Sequence, residues 1–208
     1  MRNAVSLKDT ATKPARVLVA TAGRPDALPE SSYPDPEEVG KQWGQDEYKI
    51  LRLQEAADLL RGTILEGHTV RLLAMLLQED GSMTAERRHD CAKGVCFAIG
   101  IMGHHICARG TPLIYDELED PSSDTYSPHQ KYCSWKNGVS PQARFEKDYP
   151  GFATEWRVQF AEYMLRMTQC FDAGRTEDQC VQAWNPGETG RIRKVKRHEG
   201  LVKAALGW

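Results

Sequence analysis

A glutamate stands at the end of the most apolar helical stretch in the sequence. Glu79 follows Leu72–Gln78, a run of mostly Leu, Met and Ala, and Asp80-Gly81-Ser82 ends the helix after it. The negative end of the helix dipole and the apolar surroundings both disfavour a carboxylate, so we expect the pKa of Glu79 to be raised. A protonated carboxyl group at neutral pH is what glycosidic cleavage requires, because the leaving oxygen must receive a proton. The alternative is an ordinary solvated glutamate at a helix end.

Two glycine-containing segments carry further residues of interest. Gly100-Ile101-Met102-Gly103 has glycines that allow either tight packing or close approach of the backbone to a ligand. Ala183-Trp184-Asn185-Pro186-Gly187 places a ring and an amide on a turn between two helices. Aromatic rings stack on the apolar faces of sugars and Asn bridges hydroxyl or N-acetyl groups, although a structural turn with a core Trp explains the same residues.

Taken in order, these three segments resemble the motifs of the lysozyme-like soluble lytic transglycosylase family. That family has a Glu-Ser at a helix end, then a Gly-Leu-Met-Gln segment, then an Ala-Tyr-Asn-Ala-Gly turn before the last helix. The resemblance covers residues 48–206 in layout, with Asp80 in place of the Ser and Gly103 in place of the Gln. It implies a lysozyme-like fold, peptidoglycan glycan strands as substrate and Glu79 as the catalytic residue.

The resemblance also implies a reaction. Glu79 would protonate the glycosidic oxygen between N-acetylmuramic acid and N-acetylglucosamine, and its carboxylate would then assist attack of the muramyl 6-hydroxyl on the anomeric carbon. Hydrolysis would instead need a second acid residue about 5–9.5 Å away, and the candidates are Asp80, Asp90 and Asp116. We expect no cofactor and no metal. The expected substrate contacts are Asp80, Gly100, Met102, Tyr132, Trp135, Trp184 and Asn185.

Two other functions fit the sequence. The replaced Ser and Gln favour a non-catalytic lysozyme-like module, which would bind wall glycan or serve as a part of a virion or secretion apparatus. A zinc-stabilised binding domain is the second alternative, because thiols and imidazoles are zinc ligands, although the spacing differs from the usual Cys-x2-Cys pattern. The ligands would come from Cys91, Cys96, His104, His105 and Cys107.

The cysteines and the N-terminus bear on the compartment. An even set of six cysteines suggests disulfides, with fifteen possible pairings, and zinc or buried thiols are the alternatives. No signal peptide is visible. We therefore expect an enzyme of the extracellular, periplasmic or cell-wall compartment, which arrives as a phage endolysin, by another export route or with its leader removed.

Composition excludes several classes of protein. The 208 residues are 40% hydrophobic and carry 27 Lys+Arg against 29 Asp+Glu, so neither a disordered chain nor a polycationic nucleic-acid binder is expected. No apolar run is long enough for a membrane span, and we expect a monomer. A basic run over 191–197 is either a solvated helix face or a surface that attracts anionic cell-wall polymer.

The predicted elements are mostly helical. Apolar spacing predicts helices over 48–61, 66–78, 152–171 and 176–183 and a last one after Thr189, whose inner side carries Ile192, Val195, Leu201, Val202 and Ala205. Turns and an apolar run mix over 81–115, and 116–150 is loop-like. The sequence thus predicts a mainly α, lysozyme-like single domain over 47–208 with a small irregular or β region. Residues 1–46, rich in Pro and acids, are predicted to form an extended N-terminal arm.

Overall fold

The protein is mainly α-helical, as predicted, over the residues that the structure describes. The structure is a computed structural model that describes residues 32–86, 88–92, 95–106, 135–184 and 190–208. Within these ranges, no helix combines the length and apolar composition needed to cross a membrane. The helices are α1 (Pro36–Trp43), α2 (Glu47–Leu60), α3 (Thr69–Glu79), α4 (Pro141–Asp148), α5 (Pro150–Thr154), α6 (Trp156–Asp172), α7 (Glu177–Trp184), α8 (Arg191–Lys196) and α9 (Glu199–Leu206).

Helix α1 lies where the sequence predicted an extended arm. Pro36 occupies the first turn, where its missing N–H costs nothing, and the Asp35 carboxylate accepts a 2.8 Å hydrogen bond from the N–H of Glu37. Gly44 ends the helix in the left-handed conformation. The prediction of an extended arm is therefore wrong for 36–43, because its Pro and acidic residues are helix-start signals there. Residues 1–31 of the predicted arm lie outside the described residues.

The helices predicted near α2, α3 and α7 are confirmed, whereas the long helix predicted over 152–171 is interrupted. It divides into α5 and α6 at Glu155, which has an extended backbone. In a continuous helix the carbonyl of Phe152 would accept a backbone N–H, but here it accepts a 2.7 Å hydrogen bond from Nε2 of Gln159. The predicted last helix likewise divides, into α8 and α9, at residues 197 and 198.

A small antiparallel sheet follows α3, within the region predicted as irregular or β. Its strands are β1 (Arg88–Ala92), β2 (Val95–Ile99) and β3 (His104–His105), in the order β1-β2-β3. The register pairs Cys91 with Cys96 and Ile99 with His104. The Gly100–Gly103 segment joins β2 to β3 and forms the turn between these two strands.

Helix α4 begins within the segment predicted as a loop. Ser140 caps it by accepting a 3.2 Å hydrogen bond from the N–H of Ala143, and Pro141 fills the first position. Phe145 is buried and packs against Tyr149 and Phe152. The loop prediction is therefore wrong for 141–148, since two strong start signals and one buried ring suffice for a short helix.

Helix α3 is the central core helix, as its composition predicts. Leu72–Leu77 are all buried, and the Tyr163 hydroxyl on α6 donates a 2.9 Å hydrogen bond to the carbonyl of Leu72. Helix α9 packs against α1, α2 and α3, and Nε2 of Gln54 on α2 donates a 2.9 Å hydrogen bond to the carbonyl of Ala205. These contacts hold α3 in place, and with it the terminal residue Glu79.

Two of the six cysteines join neighbouring helices. Cys170 on α6 and Cys180 on α7 form a disulfide that closes the short connection between these helices. The prediction of disulfides is thus confirmed for this one pair. The bridge holds α7 against the end of α6.

Candidate functional site

Glu79 ends α3 between α8 and the turn that precedes β3. Its side chain is 14% exposed, and its Oε1 is in contact with Nη1 of Arg191, the first residue of α8, whose side chain is fully buried. Gly103 lies close to the other carboxylate oxygen, because a Cβ added at Gly103 would be 3.4 Å from Oε2 of Glu79. The carboxylate is therefore partly accessible, paired with a cation on one side and bordered by a residue without a side chain on another.

The Gly100–Gly103 turn is anchored on α6 by Gln159. The N–H of Ile101 donates a 2.9 Å hydrogen bond to Oε1 of Gln159, and Nε2 of Gln159 donates to the carbonyl of Ala85 at 3.0 Å. A Cβ at Gly100 would overlap the Gln159 carboxamide, so this glycine is required for packing. Gly100 therefore fits the packing interpretation, whereas close approach of the backbone to a ligand stays a prediction.

Tyr163 and Trp184 form the inner wall next to this ion pair. Burial raises the pKa of Tyr163 well above its ordinary value, the charge of Glu79 raises it further, and the charge of Arg191 lowers it. Tyr163 is therefore a neutral hydroxyl that feels both charges. The ring of Trp184 packs edge-on against Tyr163, with 5.2 Å between ring centroids, and is only partly buried. The predicted sugar-stacking residue is thus also a packing residue of the core.

Asp80 is used by the turn that follows α3. Its carboxylate is 2% exposed and accepts hydrogen bonds from the Ser82 hydroxyl at 2.8 Å and from the N–H groups of Ser82 and Thr84, both at 3.2 Å. This pattern fixes the direction in which the chain leaves Glu79. A direct substrate contact by Asp80, or a role as the second acid, would require uncovering a buried and hydrogen-bonded group.

The other predicted substrate contacts that the structure describes lie in different surroundings. Met102 is 1% exposed and belongs to the apolar core, whereas Trp135 is 57% exposed in the segment before α4. Tyr132 and Asn185 lie outside the described residues. Of the three predicted segments, the structure places Gly103 next to Glu79, and Trp184 contacts Tyr163.

The alternative ligands and acids are only partly described. His104 is buried, with its ring edge-on to Phe152 at 5.2 Å between centroids. Asp90 belongs to β1, and Asp116 and Cys107 lie outside the described residues. Among the described residues, no group of three or more His, Cys, Asp and Glu side chains is arranged to hold a metal ion.

Sequence reasoning missed Arg191 as a site residue. A signal existed, because Arg191 precedes Val195 by one helical turn on the face predicted to point inward. A cation on a buried face needs a buried partner. The sequence does not say which acid that partner is, since Glu79 precedes Arg191 by more than a hundred residues.

The site can hold or release one proton at Glu79. Burial and the helix end favour the protonated acid, whereas the guanidinium of Arg191 favours the carboxylate. The expectation of a protonated Glu79 was based on the first two effects alone. The contact with Arg191 is therefore an influence on Glu79 that the sequence analysis did not include.

Comparison with known proteins identifies no relative of this chain. No protein-family model, no curated protein and no solved structure matches the chain.

Proposed function

We propose that this protein cleaves peptidoglycan glycan strands between N-acetylmuramic acid and N-acetylglucosamine, with Glu79 as general acid and base. The observation that carries the proposal is the position of Glu79, a partly exposed carboxylate at the end of a core helix beside a glycine. The mainly α fold and the small sheet after α3 agree with the motif resemblance. The protein is proposed to act as a monomer without a cofactor.

The proposed mechanism needs one carboxyl group. The Glu79 carboxyl donates its proton to the glycosidic oxygen, the bond from that oxygen to the anomeric carbon breaks, and positive charge develops at this carbon. The Glu79 carboxylate then takes the proton of the muramyl 6-hydroxyl, and the oxygen of that hydroxyl bonds to the anomeric carbon. The product is a 1,6-anhydro end and no water is consumed. If a second acid activates water instead, the product is a reducing end.

A cationic surface next to the site supports an anionic polymer as substrate. Arg193, Lys196 and Arg197 are exposed, and none of the ion pairs among the described residues involves them. Burial lowers the pKa of His198, and the positive charges of Lys49 and Arg197 lower it further. Because peptidoglycan carries carboxylates and some walls carry phosphates, we define Arg193, Lys196 and Arg197 as the cationic surface and propose that it attracts the cell wall.

The disulfide supports the proposed compartment. Cys170–Cys180 is the kind of bond that persists outside the reducing cytosol. We therefore place the activity in the extracellular, periplasmic or cell-wall compartment, which the protein reaches by export or by phage delivery.

The test is mass spectrometry of soluble fragments released from purified peptidoglycan by the native protein and by Glu79→Gln. Native protein is expected to release fragments with anhydro-muramyl ends, and Glu79→Gln is expected to reduce their release by at least about a hundredfold, the lower range of general acid–base catalysis. Glu155→Gln is the matched control, because Glu155 is exposed between α5 and α6, and it is expected to retain activity. Thermal melts of all three proteins establish that the variants are folded.

The other outcomes assign a different chemistry. Reducing ends made only by the native protein would identify a hydrolase and direct the search for the second acid to Asp90 and Asp116. Equal activity of native protein and Glu79→Gln would refute Glu79 as the catalytic residue.

The second candidate function is a non-catalytic wall-binding module, favoured by the ion pair. A carboxylate held by a buried guanidinium is a stable structural pair as well as a latent acid. Wall binding without released fragments, by native protein and Glu79→Gln alike, would support this candidate.

A further inference from the structure

Arg191 is placed to control Glu79 and has no access to a ligand of its own. Its guanidinium is fully buried and contacts a carboxylate that is itself 14% exposed. Gly190, in the left-handed conformation, precedes α8, and Val195, one turn after Arg191, is fully buried in the core. Arg191 and Val195 therefore share the buried face of α8, and the guanidinium lies against the end of α3.

Arg191 is the cation that contacts Glu79 among the described groups around it. Tyr163 is neutral at working pH, because its pKa is raised well above its ordinary value. Asp80 is an acid of like charge, engaged in its own turn. Among the described residues, the titratable groups near Glu79 include Arg191, Tyr163 and Asp80, with His104 beside the neighbouring turn and Glu177 of α7 acting on Tyr163.

We propose that Arg191 is a positioning residue, which orients the Glu79 carboxylate and holds it ionised in the free protein. This inference rests on the proposed function where it concerns catalysis. Proton donation then requires that the ion pair loosens when a glycan strand binds. As the pair separates, Glu79 takes a proton from solvent, and this proton passes to the glycosidic oxygen.

The proposal has a direct consequence for pH dependence. A contacting cation lowers the titration midpoint of a carboxyl group by about 1 to 3 pH units. Because the acid form is the active one, activity falls as the pH rises through the midpoint of the enzyme. Removing Arg191 raises that midpoint, so the variant keeps its activity to a higher pH than the native enzyme.

The test is titration of the Glu79 carboxyl carbon by NMR in the full-length protein labelled with 13C-glutamate. The resonance is assigned by its absence in Glu79→Gln. In native protein the midpoint is expected below about 4.3, the ordinary value for Glu. Arg191→Met is expected to raise it by about 1 to 3 pH units, whereas Arg191→Lys retains most of the effect because the charge is kept. Arg193→Met, which removes an exposed cation two residues later, is expected to leave the midpoint unchanged.

An equal midpoint in native protein and folded Arg191→Met would overturn the proposal. If Arg191→Met does not fold, the native protein decides alone: a midpoint at or above about 4.3 overturns the proposal, and a midpoint below about 4.3 supports it. Far-UV circular dichroism at each pH establishes that the titrated protein is folded.

Catalysis is tested separately, so that the two failures are distinct. If Glu79→Gln still cleaves glycan while Arg191→Met raises the NMR midpoint, the proposed function fails and the effect of Arg191 on the charge of Glu79 is supported. If Glu79→Gln is inactive while the midpoint is equal in native protein and Arg191→Met, the proposed function is supported and the positioning role fails. With both correct, the pH profile of kcat/KM, which reports the free enzyme, is displaced to higher pH in Arg191→Met by about the same interval as its NMR midpoint.

Discussion

Gly103 lies beside the Glu79 carboxylate, close to its Oε2. The backbone of Gly103 has a φ of 58°, in the left-handed region, and a Cβ would be 3.4 Å from Oε2 of Glu79. A side chain here would therefore both strain the backbone and crowd the carboxylate.

Gly103→Ala is expected to lower stability by roughly 1–2 kcal/mol, the cost of a left-handed residue with a Cβ, and to lower glycan cleavage. The measurements are chemical denaturation and fragment release from peptidoglycan. Gly44→Ala is the matched control, because Gly44 has a φ of 62° and nothing within 4 Å of its added Cβ. The control is expected to lose similar stability without losing activity, and equal activity of both variants would contradict a role for the missing side chain at Gly103.

The elements around the site are held in a chain of covalent and ionic contacts. The disulfide links α6 to α7, and Arg71 on α3 forms ion pairs with Asp178 on α7 and Glu199 on α9, each at 2.5 Å. Helix α7 carries Trp184 and packs against α8. The position of α8, and with it the contact of Arg191 with Glu79, therefore depends on how firmly α7 is attached.

Replacing both cysteines, Cys170→Ala with Cys180→Ala, is expected to lower the free energy of unfolding by about 2–4 kcal/mol, because the short closed loop gains freedom when unfolded. Urea denaturation with and without reductant measures it. The reductant should destabilise native protein more than the double variant, since only native protein has this bond to lose. An equal effect of reductant on both would show that the bridge contributes no stability.

At the scale of the whole molecule, charge is unevenly distributed. The chain has 27 Lys+Arg against 29 Asp+Glu, yet the cationic surface places three exposed basic side chains on α8 and directly after it. Burial lowers the pKa of His198 most, and the charges of Lys49 and Arg197 lower it further. The cationic surface thus begins on the helix whose first residue contacts Glu79.

Reversing two charges of this surface, Lys196→Glu with Arg197→Glu, is expected to weaken binding to purified wall by about tenfold at low ionic strength. The difference should shrink as salt rises, because exposed charges are screened. Cosedimentation with peptidoglycan over a salt series measures it. Lys136→Glu with Lys147→Glu changes the net charge equally at exposed positions in other elements, and if this pair weakened binding as much, the effect would be one of net charge alone.

The sequence determined the elements whose signals are local. The apolar periodicity of 66–78 and the Gly-Ser stop after Asp80 place Glu79 at the end of a core helix, because a stripe of apolar residues must be buried wherever it lies. The same local reasoning failed at 36–43 and 141–148. There, Pro and Asp or Ser start short helices that are stabilised by packing and have little periodicity of their own.

Only the tertiary structure decided which side chains meet at Glu79. Arg191, Tyr163 and Gly103 come from separate elements, and their approach depends on how α3, α6 and α8 pack. Sequence patterns of period 3.6 state that a face is buried but not which residue lies opposite. For this reason the sequence predicted a raised pKa for Glu79 from its helix end, while the structure added the cation that acts in the opposite direction.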